Sequence, residues 1–178
     1  MRRVIGLALV GLCAMAIHAY AAGQDEKIYE DLVLRAKAGD LTIDWRVLRL
    51  TCMRVQACQP RGSKADLALL GKKTPLEDNL RVALKLIDEG FPNIEAHASA
   101  SGIYRALGNM EKAQAEYAIT LSLMRSIVDG HDGKTKETAY EVITGREEYF
   151  VLTALKLPYY GPGVTSSLVL DGAHKFSR

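Results

Sequence analysis

Residues 93–128 read NIEAHASASGIYRALGNMEKAQAEYAITLSLMRSIV, and the architecture turns on this stretch. Pro92 biases the chain before it away from helix, and Asn93 supplies an N-cap. Ala96, Ala100, Ile103 and Leu107 then recur at helical spacing, with His97, Ser101 and Tyr104 on the adjoining stripe. Gly108 suits the left-handed conformation that ends a helix, and Asn109 suits the cap of the next. Ala113, Tyr117, Thr120, Leu121 and Met124 mark one face of that second helix. Ala96, Ala100, Ser101 and Ala113 are small enough to let two helix axes approach closely. The stretch therefore predicts two antiparallel helices joined at Leu107-Gly108-Asn109.

The spacing resembles the tetratricopeptide pattern, W-x2-L-G-x2-Y followed by A-x3-F and a final Pro. His97, Ala100, Ser101 and Tyr104 fall on its first half, and Ala113 and Tyr117 on its second. His97 in the tryptophan position and Arg125 near the proline position depart from it. The resemblance implies a mostly α fold of stacked helical hairpins with a binding groove lined by the first helix of each. On that reading His97, Ser101, Tyr104 and Arg105 are candidate partner-binding residues.

At the start of the chain Arg2 and Arg3 precede an apolar run from Val4 to Ile17, then Ala19-Tyr20-Ala21. That is the order of an export signal cleaved after Ala21. The run is short for a membrane span of about 20 residues. The expectation is a periplasmic or secreted protein with no stable membrane span once residues 1–21 are removed from the 178, leaving a single domain of 157. The whole chain carries 23 basic and 21 acidic residues. Loss of Arg2 and Arg3 balances them, which argues against nucleic acid as a partner because phosphate binding needs clustered cationic excess.

Export also removes Cys13 and leaves Cys52 and Cys58. An even pair in an oxidising compartment favours a disulfide, provided the helix carrying Cys52 ends near Val55 and the chain turns back. Free buried thiols are the alternative. A metal site lacks partners, since there is no CxxC or HExxH and His97, His131 and His174 are scattered.

The other helices follow from periodicity and caps. Residues 25–38 form the first, with Ile28, Leu32 and Leu34 joined by Tyr29, Val33 and Ala36 in a broad buried face ended by Gly39. Residues 43–55 form the second, capped by Thr42 or Asp40, with Trp45, Leu48 and Cys52 in line as core. Residues 59–73 read as the least structured part, a loop with a short helical turn near Asp66 to Leu70 and a basic cluster of Arg61, Lys64, Lys72 and Lys73. Thr74 and Glu77 make a capping box with Pro75 at the first helical position. Leu76, Leu80, Ala83, Leu84 and Ile87 give that helix its apolar face, and Gly90 ends it.

After Val128 the pattern changes. Residues 129–134 are turn-rich, 138–144 alternate like a strand, 147–157 read as a helix, and 167–170 read as a short strand. The expectation is a small α+β cap over 129–178, two short strands and one helix, closing the hairpins of 22–128. The segments YEDLVLRAKAGDLTIDWRVLR and GHDGKTKETAYEVITGREEY together resemble an uncharacterised family of exported bacterial proteins, a domain of unknown function with tetratricopeptide-like helices. That resemblance implies fold and export but no activity. It also implies further strand beyond Arg178, leaving the last element incomplete.

No catalytic motif emerges, and no cofactor is implied. Asp129, His131 and Asp132 lie within four positions, with Glu147-Glu148 nearby, and a hydrolase could use such groups. A helix C-terminus followed by a polar turn, where Asp and Gly are expected, accounts for them better. The calcium-loop spacing is absent, and Ser99 and Ser101 do not sit in G-x-S-x-G. Two functions remain. One is a non-catalytic helical-repeat binding module for an unknown peptide or protein. The other is a periplasmic immunity or inhibitor protein that plugs a toxin or lytic enzyme with the loop 129–137, drawing on Asp129, His131 and Asp132.

Overall fold

A computed structural model describes residues 23–56, 58, 66, 75–157 and 167–168. The export segment, the basic cluster at Arg61, Lys64, Lys72 and Lys73, the Thr74 cap, and residues 158–166 and 169–178 lie outside the described residues. What is described is mostly helical.

The first helix, α1, covers 23–37 and ends where Gly39 takes φ +88°. Its buried face is Tyr29, Leu32 and Ala36, while Leu34 is 71% exposed. Two residues on from Leu32 is a rotation of about 200°, so Leu34 cannot share that face. The buried face is thus narrower than expected. In the following turn Asp40 accepts from the Thr42 N–H and Oγ1 and from Arg35, instead of capping a helix. Asp44 is the cap of α2 (Trp45–Cys52), accepting from the Val47 N–H at 2.8 Å. This helix is shorter than the sequence suggests. It ends in the Cys52–Cys58 disulfide, with Cα atoms 5.3 Å apart.

Helix α3 (Leu76–Glu89) begins after Pro75, which stands outside the helix and accepts from the Asp78 and Asn79 N–H groups through its carbonyl. Its inward face is Asn79, Val82, Ala83, Leu86 and Ile87, rotated from the expected one, so that Leu76 is exposed. Helix α4 (Ile94–Ala106) and α5 (Met110–Val128) are capped by Asn93 and Asn109, which accept from the Ala96 and Lys112 N–H groups. Between them Gly108 takes φ +79°, and the Asn109 N–H returns to the Tyr104 carbonyl.

The two helices run antiparallel, because Ser101 meets Ala113 while His97, one turn earlier, meets Glu116. Ala96 and Ala100 are fully buried, and Ala113 nearly so. On α5 the buried residues are Ala113, Thr120, Leu123 and Ile127, whereas Tyr117 and Leu121 face solvent. The true face lies about one residue from the expected one, because apolar residues lie on both sides of the helix.

After α5 the chain forms the two-residue strand β1 (Tyr140–Glu141), helix α6 (Gly145–Ala154) and strand β2 (Ser167–Leu168). The strands pair antiparallel, Tyr140 opposite Leu168. Helix α6 starts earlier than expected, capped by Thr144 accepting from the Glu147 N–H. A main core joins α1 to α5, and a second cluster of Ile127, Tyr140, Val142, Val151 and Leu152 joins the end of α5 to α6. Met124 packs against both.

Candidate functional site

The hairpin brings His97 and Glu116 face to face. His97 is 1% exposed, and its two ring nitrogens lie 2.5 Å from Glu116 Oε2 and 2.7 Å from the Phe91 carbonyl oxygen. Both nitrogens are engaged, so the ring has no valence left over. The Phe91 ring meets the imidazole edge-on at 5.0 Å, and the Phe91 N–H donates to the Tyr29 hydroxyl. Burial pushes the Tyr29 hydroxyl above its ordinary pKa, and the hydrogen bond from Phe91 offsets part of that rise. The link between α3 and α4 is therefore fixed from α1, α4 and α5.

Above this pair lies a cleft of about 540 Å³ between the end of α1, α3 and the middle of α5. Leu84, Ile87, Phe91, Ala118 and Ile119 give it apolar walls, and Glu116 and His97 also line it. Lys37 and Asp88 border it with an exposed ion pair at 3.4 Å, and the Lys37 ammonium stands 5.9 Å from the Phe91 ring centre. Concave, largely apolar surface with a few placed polar groups is the usual form of a ligand pocket. Glu116 uses Oε2 on His97, and its other carboxylate oxygen has no partner among the described residues.

The residues singled out in the sequence divide into separate places. His97, Ser101 and Tyr104 are buried in the hairpin, Ser101 Oγ donating to the Ala113 carbonyl at 2.8 Å. Only Arg105 of that set is exposed. The surface presented by α4 is thus not an open groove of those side chains. Asp129 and His131 border a shallow depression with Arg46, Arg125 and Ser126. Asp132 belongs to a different unit: it accepts from Thr138 Oγ1 and the Lys134 N–H, which hold its carboxyl down to about 2. Twelve residues of α5 lie between Glu116 and Asp129, about 20 Å of helix, so the two groups form no common site.

The sequence reading missed the cleft residues Lys37, Phe91 and Glu116, and missed a buried polar network. Arg49 is fully buried and donates to both carboxylate oxygens of Glu147, at 2.8 and 2.9 Å. It also donates to the Glu141 carbonyl and to Ser126, while Glu147 accepts from the Ile143 N–H. The available signal was Arg49 lying four residues after Trp45, between Leu48 and Cys52 on an apolar face.

No family model, curated protein or solved structure matches this chain. No group of three or more His, Cys, Asp or Glu side chains arranged to hold a metal occurs among the described residues. Nor is any described helix long and apolar enough to cross a membrane.

Proposed function

We propose that this chain is an exported, non-catalytic binding module of tetratricopeptide-like helical hairpins, and that the cleft between α1, α3 and α5 receives a peptide or protein partner. The observation that carries the reading is the cleft itself: apolar walls from three helices above a His97–Glu116 pair whose imidazole is fully engaged. The nitrogen of His97 that does not face Glu116 is held by a backbone carbonyl, which has no proton to give up, and the ring is 1% exposed, so neither nitrogen is offered to a substrate. This favours binding over hydrolysis. The Cys52–Cys58 disulfide fits an oxidising compartment and so supports export.

The test is capture from the native host's periplasmic extract with wild-type protein and with Ala118→Phe, which fills the cleft. The expected result is a partner retained by wild type and lost with the variant. An identical set of captured proteins would remove the cleft from consideration.

A second reading, an immunity or inhibitor protein acting through residues 129–137, draws on the order of that loop. Thr138 Oγ1 accepts from the Thr135 N–H and donates to Asp132, and the Gly133 N–H donates to the Thr138 carbonyl. A preformed plug loses little entropy on insertion. Survival of host cells with and without the gene under toxin challenge tests it, and equal survival counts against it.

A further inference from the structure

We infer that the cleft binds an uncharged small molecule with a largely aliphatic body and a single hydroxyl, and that Glu116 accepts the hydroxyl's hydrogen bond. This rests on the reading of the cleft as the binding site and goes beyond it in what enters: a small molecule fills the cleft, and a protein partner meets its rim.

Charge narrows the choice first. The His97 nitrogen that faces the Phe91 carbonyl carries a hydrogen, because a carbonyl only accepts. The other nitrogen and Glu116 Oε2, 2.5 Å apart, then hold one proton between them, and wherever it sits the pair is neutral overall. Lys37 and Asp88 cancel at the border. A charged ligand of either sign would lose its hydration here and find no counter-charge.

Hydrogen bonding narrows it further. Every residue of a peptide brings backbone polar groups that need partners once buried. The walls given by α1, α3 and α5 spend their own backbone groups within their helices. The second oxygen of Glu116, whose side chain is 18% exposed, has no partner among the described residues. It is an acceptor on either placement of the shared proton, so one hydroxyl satisfies it and brings no charge. Leu41, Leu84, Ile87, Phe91, Ala118 and Ile119 meet the rest of the occupant with apolar surface. The cleft volume of about 540 Å³ lies within the ~300–1,000 Å³ of small-molecule sites.

The experiment titrates the protein, with its disulfide intact, with octan-1-ol, octanoate and octylammonium, followed by amide NMR at neutral pH. The three probes share a chain and differ in head charge. Octanol should bind at least ~10-fold tighter than either ion, with shifts centred on Ala115, Ala118 and Ile119. Glu116→Gln keeps an N–H for the histidine and an oxygen for the hydroxyl, so all three affinities should stay within about twofold. A selective loss of octylammonium affinity in that variant would show a working carboxylate charge and overturn the inference. Ala118→Phe should abolish octanol binding; Ala115→Phe, at an exposed position on the same wall, takes its place if Ala118→Phe does not fold. Equal affinities, a tighter ion, shifts away from α5, or no octanol binding would each overturn the inference. Solvent extraction of protein purified from its host should release an uncharged aliphatic molecule, read by mass spectrometry; a bare extract would give the cleft to a side chain of the partner instead. If octanol fails while Ala118→Phe still costs the protein its native partner, the ligand class falls and the binding-module reading stands. If octanol binds and the partner survives that substitution, the small ligand stands and the partner's use of the cleft falls.

Discussion

Arg49 and Glu147, 98 positions apart in sequence, form a two-pronged ion pair with almost no exposed surface on either side chain. The guanidinium further binds the Glu141 carbonyl and Ser126, so one side chain of α2 ties together α5, β1 and α6. Removing one partner strands a buried charge, whereas replacing both with apolar groups of similar volume does not. Arg49→Ala is therefore expected to destabilise the protein by about 3 to 5 kcal/mol. Arg49→Met combined with Glu147→Leu should recover much of that loss. Urea denaturation of wild type and both variants checks the two statements; a double variant as unstable as Arg49→Ala would show that the bonds to backbone, not the charge pair, carry the cost.

Gly133 has φ +69°, and a methyl group at its Cα would stand 2.7 Å from the Tyr140 ring. Both backbone conformation and space exclude a side chain there. Gly133→Ala should cost about 1 to 3 kcal/mol, the range for a non-glycine residue held in a left-handed conformation. Adding Tyr140→Ala removes the contact but not the strained φ. The double variant should therefore remain less stable than Tyr140→Ala alone. Thermal unfolding of the two single variants and the double variant separates the contributions, and equal stability of the last two would assign the whole cost to the ring contact.

Asp132 is expected to titrate with a midpoint of about 2, against an ordinary 3.8, because Thr138 and the Lys134 N–H bond its ionised form. The sign is that of a depressed carboxyl. The contribution to loop order is complete above pH 3.8 and is lost as pH falls through about 2. Thr138→Val removes the largest cause and should move the midpoint upward, as read by carboxyl carbon NMR. An unchanged midpoint would mean that the hydroxyl contact does not persist in solution.

Local signals carry the hairpin well. Asn93, Asn109 and Gly108 act at the positions their chemistry dictates, since caps and turn glycines answer to neighbours within four residues. Faces are less legible wherever apolar residues ring a helix, as Leu34 on α1 and Tyr117 and Leu121 on α5 show. Pro75 stands one position earlier than its spacing predicts, because its N–H-free geometry suits the cap as well as the first turn of α3. The cleft was not legible at all: Lys37, Leu84, Phe91 and Glu116 come from separate elements, and no spacing encodes their meeting. Arg49 was hidden for the same reason, its partner being fixed only by the tertiary fold.

The contact between α4 and α5 sets a last measurable limit. Ala100 is fully buried, Ala113 is 1% exposed, and Ser101 Oγ reaches the Ala113 carbonyl at 2.8 Å, so the axes meet with no room for a longer side chain. Ala100→Leu inserts three carbons into that contact and should destabilise by about 1 to 3 kcal/mol through forced rotamers and helix displacement. Ala106→Leu, at an exposed position on the same helix, should stay within about 0.5 kcal/mol of wild type. Because His97 and Glu116 meet across the same interface one turn away, Ala100→Leu should also disturb the His97 ring resonances, while Ala106→Leu leaves them in place. If both substitutions are tolerated alike in denaturant and in the imidazole spectrum, the helices do not approach as closely as described, and the cleft above them loses its floor.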